Sequence, residues 1–461
     1  MSGKIKHSVE RTAFEKAVNF GIDRVEQNEC QGYVEIVNAI EQVLKDGWRP
    51  EAYEKLRAAL GKDGKWTRFL NRLVKETDRG YLKGLMMSFI FEGALVGYRE
   101  TRKRSNRLGM SIPWIILFDP TSACNLHCVG CWASEYGKTL NLSYEDMNRI
   151  ICEGKELGIH EYIMTGGEPL VRKKDIIKLA KQHSDCGFMI FTNGTLVDQD
   201  FCNDLKDCGN ILLSMSIEGF EEATDSRRGQ GVFKKAMDTM DLLRTNGIIY
   251  GTSICYTRHN CEAVTSDDFL DFLVEKGVSF SWYFHYMPVG MDASAELIPT
   301  VEQRKYIYRR IREVRAFEGG KPIFLMDFQN DGEFVSGCIA GGKYYCHINP
   351  NGDVEPCVFI HYSNANIHEK SLLECLKQPL FRAYQHNQPF NDNLLRPCPM
   401  LENPLMLRKM VAETGAHSTD LANPESCEHL CSKCDHYADV WQPMADLLWE
   451  KSYSPASKGW Q

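Results

Sequence analysis

A chain of 461 residues, 43% of them apolar, is long enough for about three domains or for one barrel with attachments. The formal net charge of −8 is unevenly spread, because residues 1–110 carry 21 Lys and Arg against 15 Asp and Glu; a mildly basic segment on an acidic body argues against nucleic acid as the main partner. No stretch reads as a signal peptide and no apolar run reaches the length of a bilayer span, so the 18 cysteines are expected to stay reduced in a cytoplasmic protein and to ligate metal, not to form disulfides.

Residues 1–110 read as a helical extension. Apolar residues recur at helical spacing through Phe14–Ile22 and Tyr33–Val43, with a break at Trp48-Arg49-Pro50. Tyr81–Tyr98 is apolar almost throughout and is followed at once by RETRKRSNR. A helix of this kind is either buried core or interfacial, with Arg99, Arg102, Lys103, Arg104 and Arg107 facing anionic headgroups in a peripheral membrane contact. Glu92 and the Gly93/Gly97 pair fit either reading.

From about Pro113 strands and helices alternate. Strands are expected near 113–119, 161–165, 187–192, 211–216, 249–256 and 278–285, with helices between them such as Tyr144–Leu157 behind a Ser143 cap. Six such units over residues 111–325 predict an α/β fold, a partial (β/α)6 TIM-type barrel whose active site lies at the carboxyl ends of its strands. The loop after the first strand, DPTSACNLHCVGCW, carries Cys124, Cys128 and Cys131. Three thiolates can hold three irons of a [4Fe–4S] cube and leave the fourth open; zinc normally takes four ligands at a structural site. After the second strand come Gly166, Gly167, Glu168 and Pro169, where paired glycines admit a ligand close to the backbone beside an acidic group that can meet an ammonium. Thr192-Asn193-Gly194-Thr195 follows the third strand. The fourth ends in Ser216-Ile217-Glu218, with Arg227 and Arg228 beyond it free to clamp a carboxylate. His285 and Tyr286 at the last strand's end could position substrate or carry a proton, or be buried and structural. Cys255 reads as core.

This combination resembles the radical S-adenosylmethionine (SAM) superfamily over roughly residues 112–290. Cys124/Cys128/Cys131 match its cluster loop and Gly166–Pro169 its GGEP motif, while Ser216, Glu218 and Arg228 resemble its ribose- and methionine-contacting positions. Gly166, Gly167, Glu168, Asn193, Ser216, Glu218 and Arg228 are thereby the candidate cofactor contacts. The resemblance implies SAM bound through its amino and carboxylate groups to the open iron of a [4Fe–4S] cluster, with Glu168 facing the cation and Arg228 the carboxylate. One-electron cleavage then gives a 5′-deoxyadenosyl radical that abstracts a substrate hydrogen, the electron coming from a flavodoxin- or ferredoxin-type protein. Gly130 stands where the family often has an aromatic before the third cysteine, and Trp132 is the candidate to replace it against adenine.

The part from 326 to 461 is rich in cysteine. Cys338 and Cys357 bracket GGKYYCHINPNGDVEP, whose Asn349–Asp353 turn between two short strands brings the thiols near each other. Cys398 follows, then Cys427, Cys431 and Cys434. This clustering reads as metal, with structural zinc at 427–434 as one option. The Cys338-x13-Gly352-x4-Cys357 segment resembles the opening of SPASM or twitch extensions, which implies at least one auxiliary [4Fe–4S] cluster; two would need an open iron or the recruitment of Cys346 or Cys375. Cys30, Cys152, Cys186, Cys202, Cys208 and Cys261 lie singly and read as structural. Auxiliary clusters imply net oxidation or formation of a new bond. The apolar helix with its basic flank resembles the lipid-tail-coupling radical SAM enzymes of the tetraether or diabolic-acid synthase type, which gives C–C coupling of alkyl chains as the leading expectation. A maturase of ribosomal peptides is the alternative, and a non-enzymatic iron–sulfur electron carrier the third.

Overall fold

A computed structural model of the protein describes residues 3–27, 29–43, 50–421 and 423–453. Its centre is a nine-stranded sheet in the order β7-β6-β5-β4-β3-β2-β1-β8-β9. β1 (Ile115–Phe118), β2 (Glu161–Met164), β3 (Gly187–Thr192), β4 (Ile211–Ser216), β5 (Tyr250–Tyr256) and β6 (Phe280–His285) are the six expected strands, all parallel. Short apolar runs bounded by glycine and capped helices produce them: Ser143 and Asp146 close a capping box before Tyr144–Leu157, and Gly158 ends that helix at φ 88°.

Two further parallel strands correct the count of six. β7 (Phe324–Asp327) extends the sheet beyond β6, and β8 (Tyr345–Ile348) pairs with β1 on the other side. Each is only four residues long, as β1 and β2 are, and what places them in this sheet is pairing with partners distant in the chain. β8 turns at Asn349–Asp353 into the antiparallel β9 (Val354–Glu355), which is the expected hairpin. The cysteine-rich part thus supplies a strand of the barrel sheet. β7 and β8 do not pair, so the barrel is open on that side.

The extension begins with α1 (Gly3–Gln27), α2 (Glu29–Val43), α3 (Pro50–Leu60) and α4 (Lys65–Glu76), with Val25, Tyr33, Val37, Tyr53 and Leu60 as its small core. Trp48 and Arg49 of the expected break lie outside the described residues. The apolar stretch follows as α5 (Arg79–Leu85), a π-helical segment Met86–Gly97 and α6 (Tyr98–Leu108). It packs under the barrel, at the amino ends of the strands. The Tyr81 hydroxyl donates to the Ile211 carbonyl at 2.6 Å, and Phe89 lies against Gly187. Gly84 meets Gly209 so closely that a Cβ would stand 2.3 Å from its carbonyl oxygen. Glu92, buried, is paired with His7 and Arg11. The basic flank is engaged within the protein as well: Arg99 pairs with Glu10, Lys103 with Glu100, and Arg102 lies over Tyr98. The buried-core reading of Tyr81–Tyr98 therefore accounts for its apolarity, and among the described residues no helix is long and apolar enough to cross a membrane.

Gly84→Val should cost about 1–3 kcal/mol by overpacking this contact, read as a lower denaturation midpoint. An unchanged midpoint would mean that the helix is not docked under the barrel.

Candidate active site

The three-cysteine loop and the GGEP loop are laced together by backbone. Gly167 N donates to Thr121 O at 2.9 Å and Glu168 N to Ala123 O at 2.8 Å. A Cβ on Gly167 would lie 2.2 Å from the Ala123 oxygen, so only glycine permits the approach. Cys124, Cys128 and Cys131 are partly buried and line one cavity of about 260 Å3. Gly166, Gly167, Glu168, Asn193, Ser216 and Arg228 line the same cavity. Among the described residues the three thiols do not gather within 4.8 Å of one another, the spread that would suit one metal ion's ligands. Burial pushes Cys124 up to about 11 and raises Cys128, while Arg228 and Arg227 pull Cys128 back down.

The arginines are not free. Glu218, buried at 0% exposure, accepts from Arg227 Nη1 at 2.5 Å and from Arg228 Nε at 2.9 Å with one oxygen, and from Cys255 N at 3.1 Å with the other. This corrects the expectation of an open clamp. Glu218 takes the carboxylate's place, and the guanidinium of Arg228 is turned toward Cys128 Sγ at 4.0 Å. Glu168 is likewise satisfied by Thr192 Oγ1 (2.6 Å), Leu170 N (3.0 Å) and Asn193 N (2.8 Å). Burial raises its pKa and these donors oppose the rise.

His285 and Tyr286 both line the cavity. His285 Nδ1 meets its neighbour's carbonyl at 2.7 Å and Nε2 the Tyr437 hydroxyl at 3.0 Å. Burial, with Arg304 nearby, holds it well below its usual pKa, so it is neutral. Tyr286 packs on Gly130, and burial pushes it up to about 12. Cys255, read from sequence as core, lines the cavity as well.

One buried group of residues had no sequence signal beyond its position beside the motifs. His347 on β8 stands between Asp119 (3.0 Å) and Glu355 (2.6 Å), all three at 0% exposure. Asp119 begins the cluster loop, and Tyr136, just past its end, donates to the same Glu355 at 2.8 Å. Burial opposes charge on the imidazole, but the two carboxylates win and push it up to about 10. Trp132 lines the cavity and meets His347 and Phe359 edge-on at 5.8 and 6.2 Å, so its ring is fixed by the cysteine-rich part.

The six candidate ligand cysteines of the C-terminal part form two groups of three. Cys338, Cys357 and Cys398 line a second cavity; Tyr345 donates to Cys357 Sγ at 2.7 Å, and Leu401 N to Cys398 Sγ at 3.4 Å. Cys427, Cys431 and Cys434 lie at the start of the C-terminal helix Cys427–Tyr453, with Cys427 and Cys431 Sγ 3.8 Å apart. Burial raises the pKa of the Tyr384 hydroxyl, and Cys338, Cys357, Cys398 and Cys427 near it add to the rise. Cys346 and Cys375 neighbour each other in the barrel core, apart from both groups.

His347→Leu should cost about 3–5 kcal/mol, because it leaves two carboxylates buried without their cation. The charged imidazole stabilises the fold fully below its unfolded pKa of 6.5 and loses that contribution as pH rises through about 10. The wild-type denaturation midpoint should therefore fall more between pH 7 and 10 than that of His347→Leu; parallel curves would remove His347 from the account.

Family models agree with these two regions. The radical SAM superfamily matches residues 118–273, and an iron–sulfur cluster-binding domain, SPASM, matches 338–400. An AdoMet-dependent heme synthase of Methanosarcina barkeri is 26% identical over 289 residues, 57% of this chain and 81% of that one. The mycofactocin maturase MftC of Mycolicibacterium smegmatis is 27% identical over 297 residues, 62% of this chain and 73% of that one. Among solved structures, Streptococcus suis SuiB bound to S-adenosylmethionine shares the fold with a TM-score of 0.53 at 19% identity, over 65% of this chain and 74% of that one. The three-cysteine loop laced to GGEP at the mouth of an open parallel barrel lies in the first match, and Cys338, Cys357 and Cys398 lie in the second: the chain carries a radical SAM domain and an iron–sulfur cluster-binding SPASM domain.

Proposed function

We propose that the chain is a peptide-modifying radical SAM enzyme that oxidises a C–H bond of its substrate. The observation that carries this reading is the joining of the two thiol-lined cavities. Ile115, Trp282, Met287, Phe328, Ile339, Tyr345 and Phe359 line both, so the cavity at the cluster-loop thiols adjoins the one at Cys338, Cys357 and Cys398. A substrate held there lies between a site that begins the oxidation and a site that can receive an electron.

In this reading Cys124, Cys128 and Cys131 hold the SAM-binding cluster. Gly166, Gly167, Glu168, Asn193, Ser216, Glu218 and Arg228 surround the cofactor, and Cys338, Cys357, Cys398 and Cys427 hold an auxiliary cluster, with Cys431 and Cys434 beside it. When bound, the [4Fe–4S] cluster and SAM supply one-electron cleavage and hydrogen abstraction. The residues do the rest. Glu218 fixes two guanidinium groups, one of which faces Cys128 and favours its thiolate. Glu168 holds the GGEP turn against β3 through Thr192 and Asn193. The apolar lumen excludes water from a reactive site. His285 is a neutral strut to Tyr437, while Tyr286 and Cys255 are among the polar groups that line the cavity.

Peptide is favoured over lipid on two grounds. MftC and SuiB, the latter also solved bound to the precursor peptide SuiA, stand among the relatives, while the heme synthase represents another substrate class. The helix that suggested lipid-tail coupling packs under the barrel, so its apolarity needs no membrane. A flavodoxin- or ferredoxin-type protein remains the proposed electron donor.

Replacing Cys124, Cys128 and Cys131 together by Ala should abolish 5′-deoxyadenosine formation while the auxiliary iron stays, measured by chromatography and iron content; undiminished cleavage would refute the assignment. Cys357→Ala should lose auxiliary iron and product yet still cleave SAM. Full iron content in that variant would remove Cys357 from the ligand set.

A further inference from the structure

Arg304 stands on the helix Val301–Arg315 that follows β6, and neither it nor its partner Glu402 has any solvent access. Its Nη2 lies 2.6 Å from Glu402 Oε1, its Nε donates to Asn330 Oδ1 at 2.8 Å, and its guanidinium lies over the Trp441 ring at 4.2 Å. The other oxygen of Glu402 accepts from Cys398 N at 2.6 Å. One carboxylate thus joins a cation of the barrel to the backbone of a cysteine in the SPASM match.

The Cys398 turn is closed around that bond. The Cys398 carbonyl accepts from Asn403 N at 3.1 Å and from Asn403 Nδ2 at 3.0 Å, and its Sγ accepts from Met400 N and Leu401 N, both at 3.4 Å. Two backbone donors on one sulfur suit a thiolate that ligates iron. Trp441, on which Arg304 rests, belongs to the helix that begins with Cys427, Cys431 and Cys434. Arg304 therefore braces the supports of both C-terminal cysteine groups. A buried ion pair is a poor source of stability, because desolvation offsets most of its attraction and apolar residues of similar volume serve as well. The orientation of this pair gives it another role. Its negative end faces the thiols: burial raises the pKa of Cys338, Cys398 and Cys434, and Glu402 adds to the rise in each. A charge fixed in a low-dielectric interior acts strongly on any charge that appears beside it.

We propose that Arg304 and Glu402 are positioning residues of the auxiliary cluster site: Glu402, fixed by Arg304, holds the Cys398 turn and lowers the reduction potential of the cluster. Net charge and hydrogen bonds to the sulfurs are what set such a potential. This rests on the assignment of Cys398 as a cluster ligand above.

The test is a redox titration followed by EPR spectroscopy on the reconstituted full chain in which Cys124, Cys128 and Cys131 are replaced by Ala, so that only the auxiliary iron is titrated. Glu402→Gln keeps the shape of the side chain and an acceptor for Cys398 N but removes the negative charge. It should retain its iron and favour the reduced cluster about tenfold, an upward shift of about 59 mV for one electron. Removing the cation as well, in Arg304→Met/Glu402→Gln, should bring the potential back toward the parent value. Glu402→Gln leaves Arg304 unpaired, so its fold is checked by near-UV circular dichroism. If that variant does not fold, the double variant, which strands no charge, is compared with Arg304→Met/Glu402→Ala, which also removes the acceptor and should hold less auxiliary iron. An unmoved potential in folded Glu402→Gln, or equal iron and equal spectra in the two double variants, would overturn the proposal. Cys398→Ala in the same background should lose auxiliary iron. Full iron there would sink the ligand assignment, and the proposal with it; iron lost there, with no response to Glu402, would sink the pair alone.

Discussion

The arrangement of this protein depends on a cation held between two carboxylates in its interior. His347 lies between Asp119 and Glu355 with no solvent access. Isolated charges are very costly to bury, and each of these three groups is tolerable only because the others are present. The consequence is positional. Asp119 opens the cluster loop, Tyr136 closes it, and both converge on the hairpin that leads to Cys357. The two thiol-bearing regions are therefore held in fixed relation by a constraint that cannot relax without stranding a charge.

A second constraint acts at the cavity wall. Glu218 neutralises the arginines in part and aims them, so the positive field beside Cys128 comes from groups already in place before any ligand arrives. The same logic holds Glu168, whose oxygens are met by a hydroxyl and two backbone N–H groups. Both acids act here as parts of the scaffold that shapes the cavity.

Much of this was legible in the sequence, for local reasons. The six strand–helix units follow from apolar runs punctuated by caps and glycines, and the cysteine loop and GGEP announce their chemistry through spacing. What was not legible depends on partners distant in the chain. β7 exists because β6 offers an open edge, and β8, one arm of the expected hairpin, joins the barrel sheet because β1 offers another. The pairing of Arg227 and Arg228 with Glu218 is hidden because a charge run looks the same whether it waits for a ligand or is already matched. The apolar helix under the barrel misled toward lipid for a related reason: burial against protein and burial in a bilayer select the same residues. Its contacts at Gly84 and Gly187 decide between them.

The insertion of β8 beside β1 also bears on how the chain is made. β1 begins at Ile115 and its second neighbour at Tyr345. During synthesis one edge of β1 must wait, unpaired, until the rest of the barrel and the start of the cysteine-rich part have emerged. Such a long-range pairing is slow to form and leaves an adhesive edge in the interval. The barrel sheet is thus completed only by the cysteine-rich part, and a fragment cut between them would lack a strand of its own sheet.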